Sequence, residues 1–244
     1  MRREFSEPRA SSTSDALAPR WHTAALVTLI LLVAITGNLL RLVAPAAVTP
    51  SPIAAAPITP GQRIIGQYLP LLLVNWALLG YVSRLFRPRS ALRDLLGRGW
   101  QSARQAAGDL GLALLVFAFV QSCEVLSAHL LAARQSAALQ ALVPSTEAER
   151  LTWLVVAASV GFCEEVVYRG YLQKQLTAWS GSAGWAVVGQ ALLFGIAHTE
   201  QGLLPALRIA VYGLVLGLLA RWRGSLLPGI ACHVAIDLAS AIAR

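Results

Sequence analysis

The sequence predicts an all-α, polytopic membrane protein, a bundle of about seven apolar transmembrane helices with a polar cavity between the later ones. Three observations carry this prediction. The 244 residues are 56% hydrophobic and only 13% charged, with a mean hydropathy of +0.60, whereas a soluble domain carries about 25% charged residues. The apolar residues fall into runs close to the ~17 to 25 needed to cross a bilayer. Adjacent carboxylates, Glu164 and Glu165, interrupt one run, and two later runs each carry one histidine, His198 and His233.

Met1–Arg20 is polar, of mixed charge and Ser-rich, so residues 1–22 read as a disordered cytoplasmic tail. The first apolar run, Ala24–Leu40, is longer than the ~7 to 15 residues of a signal-peptide core and no small-x-small cleavage site follows it. It is expected to remain as an anchor. Runs two and three are Gln67–Leu85 and Leu110–Ala132, which complete an N-terminal membrane region over 23–145. Asn38, Asn75, Glu124 and His129 are the polar exceptions in these first three runs and suit hydrogen bonding between helices. Arg84, Arg87, Arg89, Arg93, Arg98 and Arg104 crowd the link 84–108, as expected of a cytoplasmic loop. By alternation Lys174, Arg221 and Arg223 fall on the same side, while the link Val48–Pro60 carries no charge. Seven spans then put the N-terminus inside and the C-terminus outside. The net charge of +8 is thus assigned to topology, with contact with anionic headgroups of the lipid bilayer as the alternative, and no nucleic-acid partner is expected.

Thr146-Glu-Ala-Glu149 has the form of a capping box, a hydroxyl at the N-cap and a carboxylate three residues on. It should open the fourth helix, ahead of the apolar run Leu151–Leu172. Glu164 then lies ~27 Å along the helix from Thr146, at about 1.5 Å per residue. Gly181-Ser-Ala-Gly184 turns the chain into the fifth run, Ala183–His198. Pro205 and Pro228 stand near the starts of Leu204–Ala220 and Leu226–Ile242, where a missing N–H does least harm. Cys123, Cys163 and Cys232 lie inside apolar runs, so no disulfide framework is expected and they read as small packing residues. No internal repeat is evident.

Carboxylates at membrane depth are costly unless paired. Neighbouring helical residues point about 100° apart, whereas positions four apart share a face. Glu165 therefore aligns with Arg169, and an ion pair between them would neutralise one buried carboxylate and give both a structural role. Glu164 is left for chemistry, with Tyr168 on its face as a phenol donor. His233 and Asp237 are also four apart, as are Phe194 and His198. Any one of these residues alone serves equally as interhelical glue. Two glutamates and two histidines on three runs, with almost no other ionisable side chain in the membrane interior of this half, favour one convergent site.

These residues resemble the CPBP family, also called the Abi or CAAX-protease-like family, which includes type II CAAX prenyl endopeptidases and bacteriocin-immunity relatives. Glu164-Glu-Val-Val-Tyr-Arg169 fits its Glu-Glu-x-x-x-Arg, Phe194-Gly-Ile-Ala-His198 its Phe-x-x-x-His, and His233-Val-Ala-Ile-Asp237 its His-x-x-x-Asn/Asp. The resemblance spans Gly161–Asp237. It implies an intramembrane protease of the bacterial inner membrane, its catalytic core at 146–242 and its active-site cavity between the later helices. A membrane-associated peptide or protein, prenylated in the CAAX enzymes, is the implied substrate. Carried over, Glu164 with His198 would deprotonate a water, and His233 would stabilise the oxyanion with residue 237. That position is Asn, an amide donor, in the CAAX enzymes; Asp237 would instead orient His233 and stabilise its protonated form, as a carboxylate does for an imidazole in other hydrolases. Glu164, His198 and His233 also form a His/His/Glu set of the kind that binds catalytic zinc, and the family is often labelled metalloprotease. No His-Glu-x-x-His helix is present, so the expectation is a metal-free reaction, with zinc as the alternative cofactor. Two rivals stand beside protease activity: a non-enzymatic immunity or scaffold protein, and a small proton-coupled carrier, which would lack the repeated half such folds show.

Overall fold

A computed structural model describes residues 16–43, 60–84, 91–131 and 142–240. Residues 1–15 of the expected tail, Arg87 and Arg89 of the basic link, and 48–59 of the uncharged link lie outside the described residues. The elements in chain order are α1 (Arg20–Val43), α2 (Gly61–Arg84), α3 (Ala91–Leu96), α4 (Ala103–Leu131), α5 (Glu147–Ser180), α6 (Ala183–Ile196), a 3-10 turn (Thr199–Gln201), α7 (Leu203–Arg223) and α8 (Leu227–Ser240). Among the described residues there is no strand, only an isolated bridge between Gly97 and Ser225. Large apolar side chains remain exposed on the outer faces, including Leu32 and Val33 of α1, Leu114 and Leu115 of α4, and Leu154 and Val155 of α5. Exposed apolar surface on this scale marks a face built for hydrocarbon. The chain is an integral membrane protein with an all-α bundle.

Five helices, α1, α2, α4, α5 and α7, are long and apolar enough to cross a membrane. The other two expected spans are shorter: α6 and α8 have 14 residues each, ~21 Å at 1.5 Å per residue against a hydrocarbon core of about 30 Å. One reason is local. The backbone leaves helical geometry after Ala197, so His198, expected inside the fifth span, instead sits in the turn that follows α6. Helix α5 departs the other way, running from Glu147 to Ser180 rather than ending at Leu172. It begins with the capping box foreseen in the sequence, Thr146 accepting from Glu149 N while the Glu149 carboxylate accepts from Thr146 N. That carboxylate is also buried against Arg63 of α2 at 2.8 Å. The helix ends at Gly181, which adopts φ 64° and closes a left-handed cap.

The part of the basic link that is described forms a fixed strap. Leu226 N donates to Leu96 O at 2.9 Å and Arg98 N to Gly224 O at 2.8 Å, tying the strap to the α7–α8 turn. Lys174 of α5 donates to the carbonyls of Asp94 and Leu95. Asp109, fully buried, accepts from Arg223 at 2.7 Å and from the Trp100 indole at 2.9 Å. Lys174, Arg98 and Arg223 therefore share one end of the bundle. Of the polar exceptions, Glu124 bonds across helices, to Tyr212 at 2.7 Å and Arg208 at 2.8 Å. Asn75 does not: it donates to Leu71 O of its own helix at 3.1 Å.

The site is positioned by the contact of α5 with α8. At Gly161, one turn before Glu164, an added Cβ would lie 2.9 Å from Val234 Cγ2 and 3.0 Å from Val234 N. Only a glycine permits that approach, because the backbone atom cannot give way. Gly161→Leu is expected to destabilise the protein by about 1–3 kcal/mol, read as a lower thermal unfolding midpoint in detergent. Val234→Ala in the same chain should recover only part of the loss, since it frees the side-chain clash and not the backbone one.

Candidate active site

The first contribution comes from a break in helical regularity. Residues Glu165–Leu172 of α5 form a π-helical segment, and all eight are buried. An ordinary membrane helix at the rim of a bundle keeps one face to lipid, but this segment is enclosed by its neighbours. Segments with i→i+5 bonding are rare and frequently found at functional sites; a shorter one, Ile64–Tyr68, lies near the start of α2. In α5 the ladder changes from α to π between Glu164 and Glu165, at the carboxylate pair itself.

The paired glutamates differ in surroundings. Glu165 is completely buried and binds Arg169 Nη1 through Oε1 at 2.7 Å. The same Oε1 accepts from His233 Nδ1 at 2.9 Å. Its approach to α8 depends on Gly229, where an added Cβ would stand 3.1 Å from Glu165 Oε2. Arg169 has its guanidinium 4.4 Å above the Phe194 ring, a cation–π contact that is strengthened by exclusion of water. Glu164 keeps 16% of its side-chain surface, and its Oε2 lies 3.6 Å from His233 Nε2. Asp237 Oδ1 stands 3.9 Å from the same nitrogen. Because Nδ1 faces a carboxylate that can only accept, it carries a proton, and Nε2 is the nitrogen turned toward Glu164 and Asp237.

Phe194 is the wall around which these groups assemble. Its ring lies 4.9 Å from Tyr168, 4.8 Å from His198 and 5.8 Å from His233, each in an edge-to-face arrangement. His198 Nδ1 donates to Phe194 O at 2.8 Å, which leaves its Nε2 with a free lone pair. Asp237 is within electrostatic reach of His233, Glu164 and His198. Its backbone carbonyl accepts from the Trp153 indole of α5 at 3.1 Å, a second tie between α5 and α8.

The sequence-predicted residues thus fall into two groups. Glu164, Glu165, Arg169, His233 and Asp237 form one contact cluster between α5 and α8, and His198 joins it through Phe194. The Glu165–His233 bond was not foreseen, because spacing along one helix says nothing of a partner 68 residues away. Trp153 and Glu200 were also missed. Glu200, in the turn after His198, is within electrostatic reach of the Tyr168 phenol; its only sequence signal was a carboxylate two residues beyond a motif histidine. The zinc alternative requires Glu164, His198 and His233 as one ligand set. Among the described residues no group of three or more His, Cys, Asp or Glu is placed to hold a metal ion, so these side chains do not fit one as arranged.

Fold and site together define a helical membrane protein with a buried carboxylate–imidazole cluster in its C-terminal half. Residues 146–239 match the family model described as type II CAAX prenyl endopeptidase Rce1-like, so that segment is similar to the CAAX-protease-like family. Neither the curated proteins nor the solved structures gave a match.

The Glu165–Arg169 pair makes a direct prediction. Arg169→Met leaves a buried carboxylate with only His233 as partner and should destabilise the protein by about 3–5 kcal/mol, while Arg169→Met with Glu165→Gln should be milder than Arg169→Met alone. Unfolding midpoints of the single and double variants check this.

Proposed function

We propose that this protein is an intramembrane endopeptidase of the bacterial inner membrane that hydrolyses a peptide bond in a membrane-associated, CAAX-type substrate. Residues 146–242 form its catalytic core, 23–145 its supporting helices with a cytoplasmic basic link at 84–108, and 1–22 a cytoplasmic tail. The family match of 146–239 supports the reaction class. The observation that carries the mechanism is the facing pair Glu164 Oε2 and His233 Nε2, 3.6 Å apart, on an imidazole whose other nitrogen is fixed by a buried carboxylate. Two atoms 3.6 Å apart can both lie within hydrogen-bonding distance of one water oxygen.

In this reading Glu164 is the general base. It takes a proton from a water that His198 orients through its free Nε2, and the hydroxide adds to the scissile carbonyl carbon as the carbonyl π electrons move to oxygen. His233, protonated on both nitrogens, holds the oxyanion through Nε2–H, and Asp237 offsets its charge. The intermediate collapses by breaking the C–N bond, and Glu164 returns its proton to the leaving amine. Glu165 and Arg169 touch no reacting atom; they hold His233 at the correct angle.

Glu164→Gln should reduce cleavage by about 10²- to 10⁴-fold, the usual contribution of a general base, with an unchanged unfolding midpoint. Membrane peptides from cells carrying the intact protein and from cells carrying Glu164→Gln should differ in their termini, which identifies substrate and activity together. Retained biological effect in a well-folded Glu164→Gln protein would instead favour the immunity or scaffold reading. Exhaustive chelation is expected to leave cleavage intact; loss that zinc restores would replace the metal-free reaction with a zinc-dependent one.

A further inference from the structure

We propose that α1, which lies outside the family-matched segment, positions His198 through Asn38, making Asn38 and Thr199 positioning residues of the reaction. The inference rests on the hydrolytic reading of His198 given above. Asn38 Nδ2 donates to Thr199 Oγ1 at 2.8 Å and to Ala34 O of its own helix at 2.7 Å. Thr199 Oγ1 in turn donates to Ile196 O at 2.9 Å. The hydroxyl therefore links α1 to the last residue of α6, and its two endpoints on that side, Ile196 and Thr199, bracket His198. The backbone of the turn is closed by His198 N to Gly195 O and Gln201 N to His198 O, both at 3.0 Å.

The imidazole depends on this turn for its aim. His198 Nδ1 folds back onto Phe194 O and its ring stands edge-on to the Phe194 ring, so a small rotation of the residue-198 backbone would shift Nε2 and change the aim of the imidazole. Contact with α1 limits such a rotation. At Gly37, next to Asn38, an added Cβ would stand 3.1 Å from Glu200 Cβ, so α1 packs directly on the turn. Beside Asn38 an open apolar groove lined by Leu31, Ile35, Leu39 and Ile196 separates α1 from α6. Apolar packing is incomplete on that side, and the Asn38–Thr199 bond adds a directional tie between the turn and α1 to the contact at Gly37.

Two general effects distinguish positioning from glue. A single interhelical hydrogen bond in a membrane contributes little to stability, whereas a small misplacement of a reacting group costs up to about 10²-fold in rate. The bond should therefore matter more to turnover than to folding.

The test uses the full chain, reconstituted in lipid, as Asn38→Leu, Thr199→Val, the double variant and Thr199→Ser. Either of the first two should lower kcat by about 10- to 100-fold, with KM changed by less than about twofold because substrate binding is not what is lost. The double variant should be no worse than either single one, and Thr199→Ser, which keeps the hydroxyl, should stay near the wild-type rate, all with similar unfolding midpoints. An unchanged kcat in Asn38→Leu, multiplying effects in the double variant, or a Thr199→Ser protein as slow as Thr199→Val would overturn the proposal. Should the wild type show no Glu164-dependent cleavage, the protease reading fails by itself and the imidazole nitrogen resonances decide. With the chain's four histidines labelled with nitrogen-15, Asn38→Leu should shift or broaden the His198 signals and leave those of His233 in place; an unmoved His198 overturns the positioning role.

Discussion

Everything at the centre of this protein depends on one buried carboxylate oxygen. Glu165 Oε1 accepts from Arg169 on its own helix and from His233 on α8. An ion pair removed from solvent pays several kcal/mol of desolvation per ion, and attraction repays that only when further hydrogen bonds complete the geometry. Here the imidazole adds a second hydrogen bond to Oε1 and the Phe194 face covers the guanidinium, while Glu165 Oε2 and Arg169 Nε and Nη2 are buried with no hydrogen-bond partner among the described residues. Each group in the chain Phe194, Arg169, Glu165, His233 is thus held by its neighbours, and those neighbours come from α5, α6 and α8. Removing any one changes the electrostatic balance of the others, so helix assembly and site assembly are the same event.

The surrounding architecture serves that oxygen. Gly161 and Gly229 bring α5 and α8 close enough for the Glu165–His233 bond, and the Trp153 indole fixes the far end of α8 at Asp237. At the opposite end, the strap at Leu96–Arg98 hydrogen-bonds the turn that leads into α8. Helix α8 is accordingly held at both ends and in the middle, although at 14 residues it is too short to be anchored by the bilayer alone. Helix α6 stops early for a related reason. Ending at Ile196, it releases His198 from helical backbone geometry, and the imidazole bonds Phe194 O and turns its other nitrogen loose.

Sequence alone revealed those features that repeat along one helix. The four-residue spacing of Glu165 and Arg169 survives as an ion pair, and the Thr146–Glu149 capping box forms as read. Composition and apolar runs were enough for an all-α membrane bundle, because hydrocarbon forces every backbone polar group into an internal bond. What stayed hidden was set by contacts between distant segments. Asp237, four residues after His233, was the natural partner for that imidazole by spacing, yet Glu165 makes the shorter contact, 2.9 Å against 3.9 Å. The ends of α6 and the length of α5 were invisible for the same reason: hydropathy records which residues tolerate lipid, and Ala197 and His198 leave the helix for a turn packed on α1. The π-helical segment has no signature in apolar periodicity at all, since a fully buried stretch has no lipid face to mark its period.

That segment also explains how adjacent carboxylates coexist. In an unbroken α-helix Glu164 and Glu165 would differ only in direction; here they also belong to different ladders, Glu164 closing the α-helical one and Glu165 opening the π-helical one. The residue inside the π segment is sealed, with no exposed side-chain surface and two charged or protonated partners. The residue just outside it keeps some access and faces an imidazole nitrogen without a direct hydrogen bond. Two like charges in neighbouring positions are tolerable at membrane depth when one is neutralised by protein and the other keeps some exposed surface beside an imidazole. The neutralised one then orients the imidazole that the other faces. The carboxylates are therefore coupled through His233 rather than competing for a single partner, and the backbone irregularity between them makes that arrangement available.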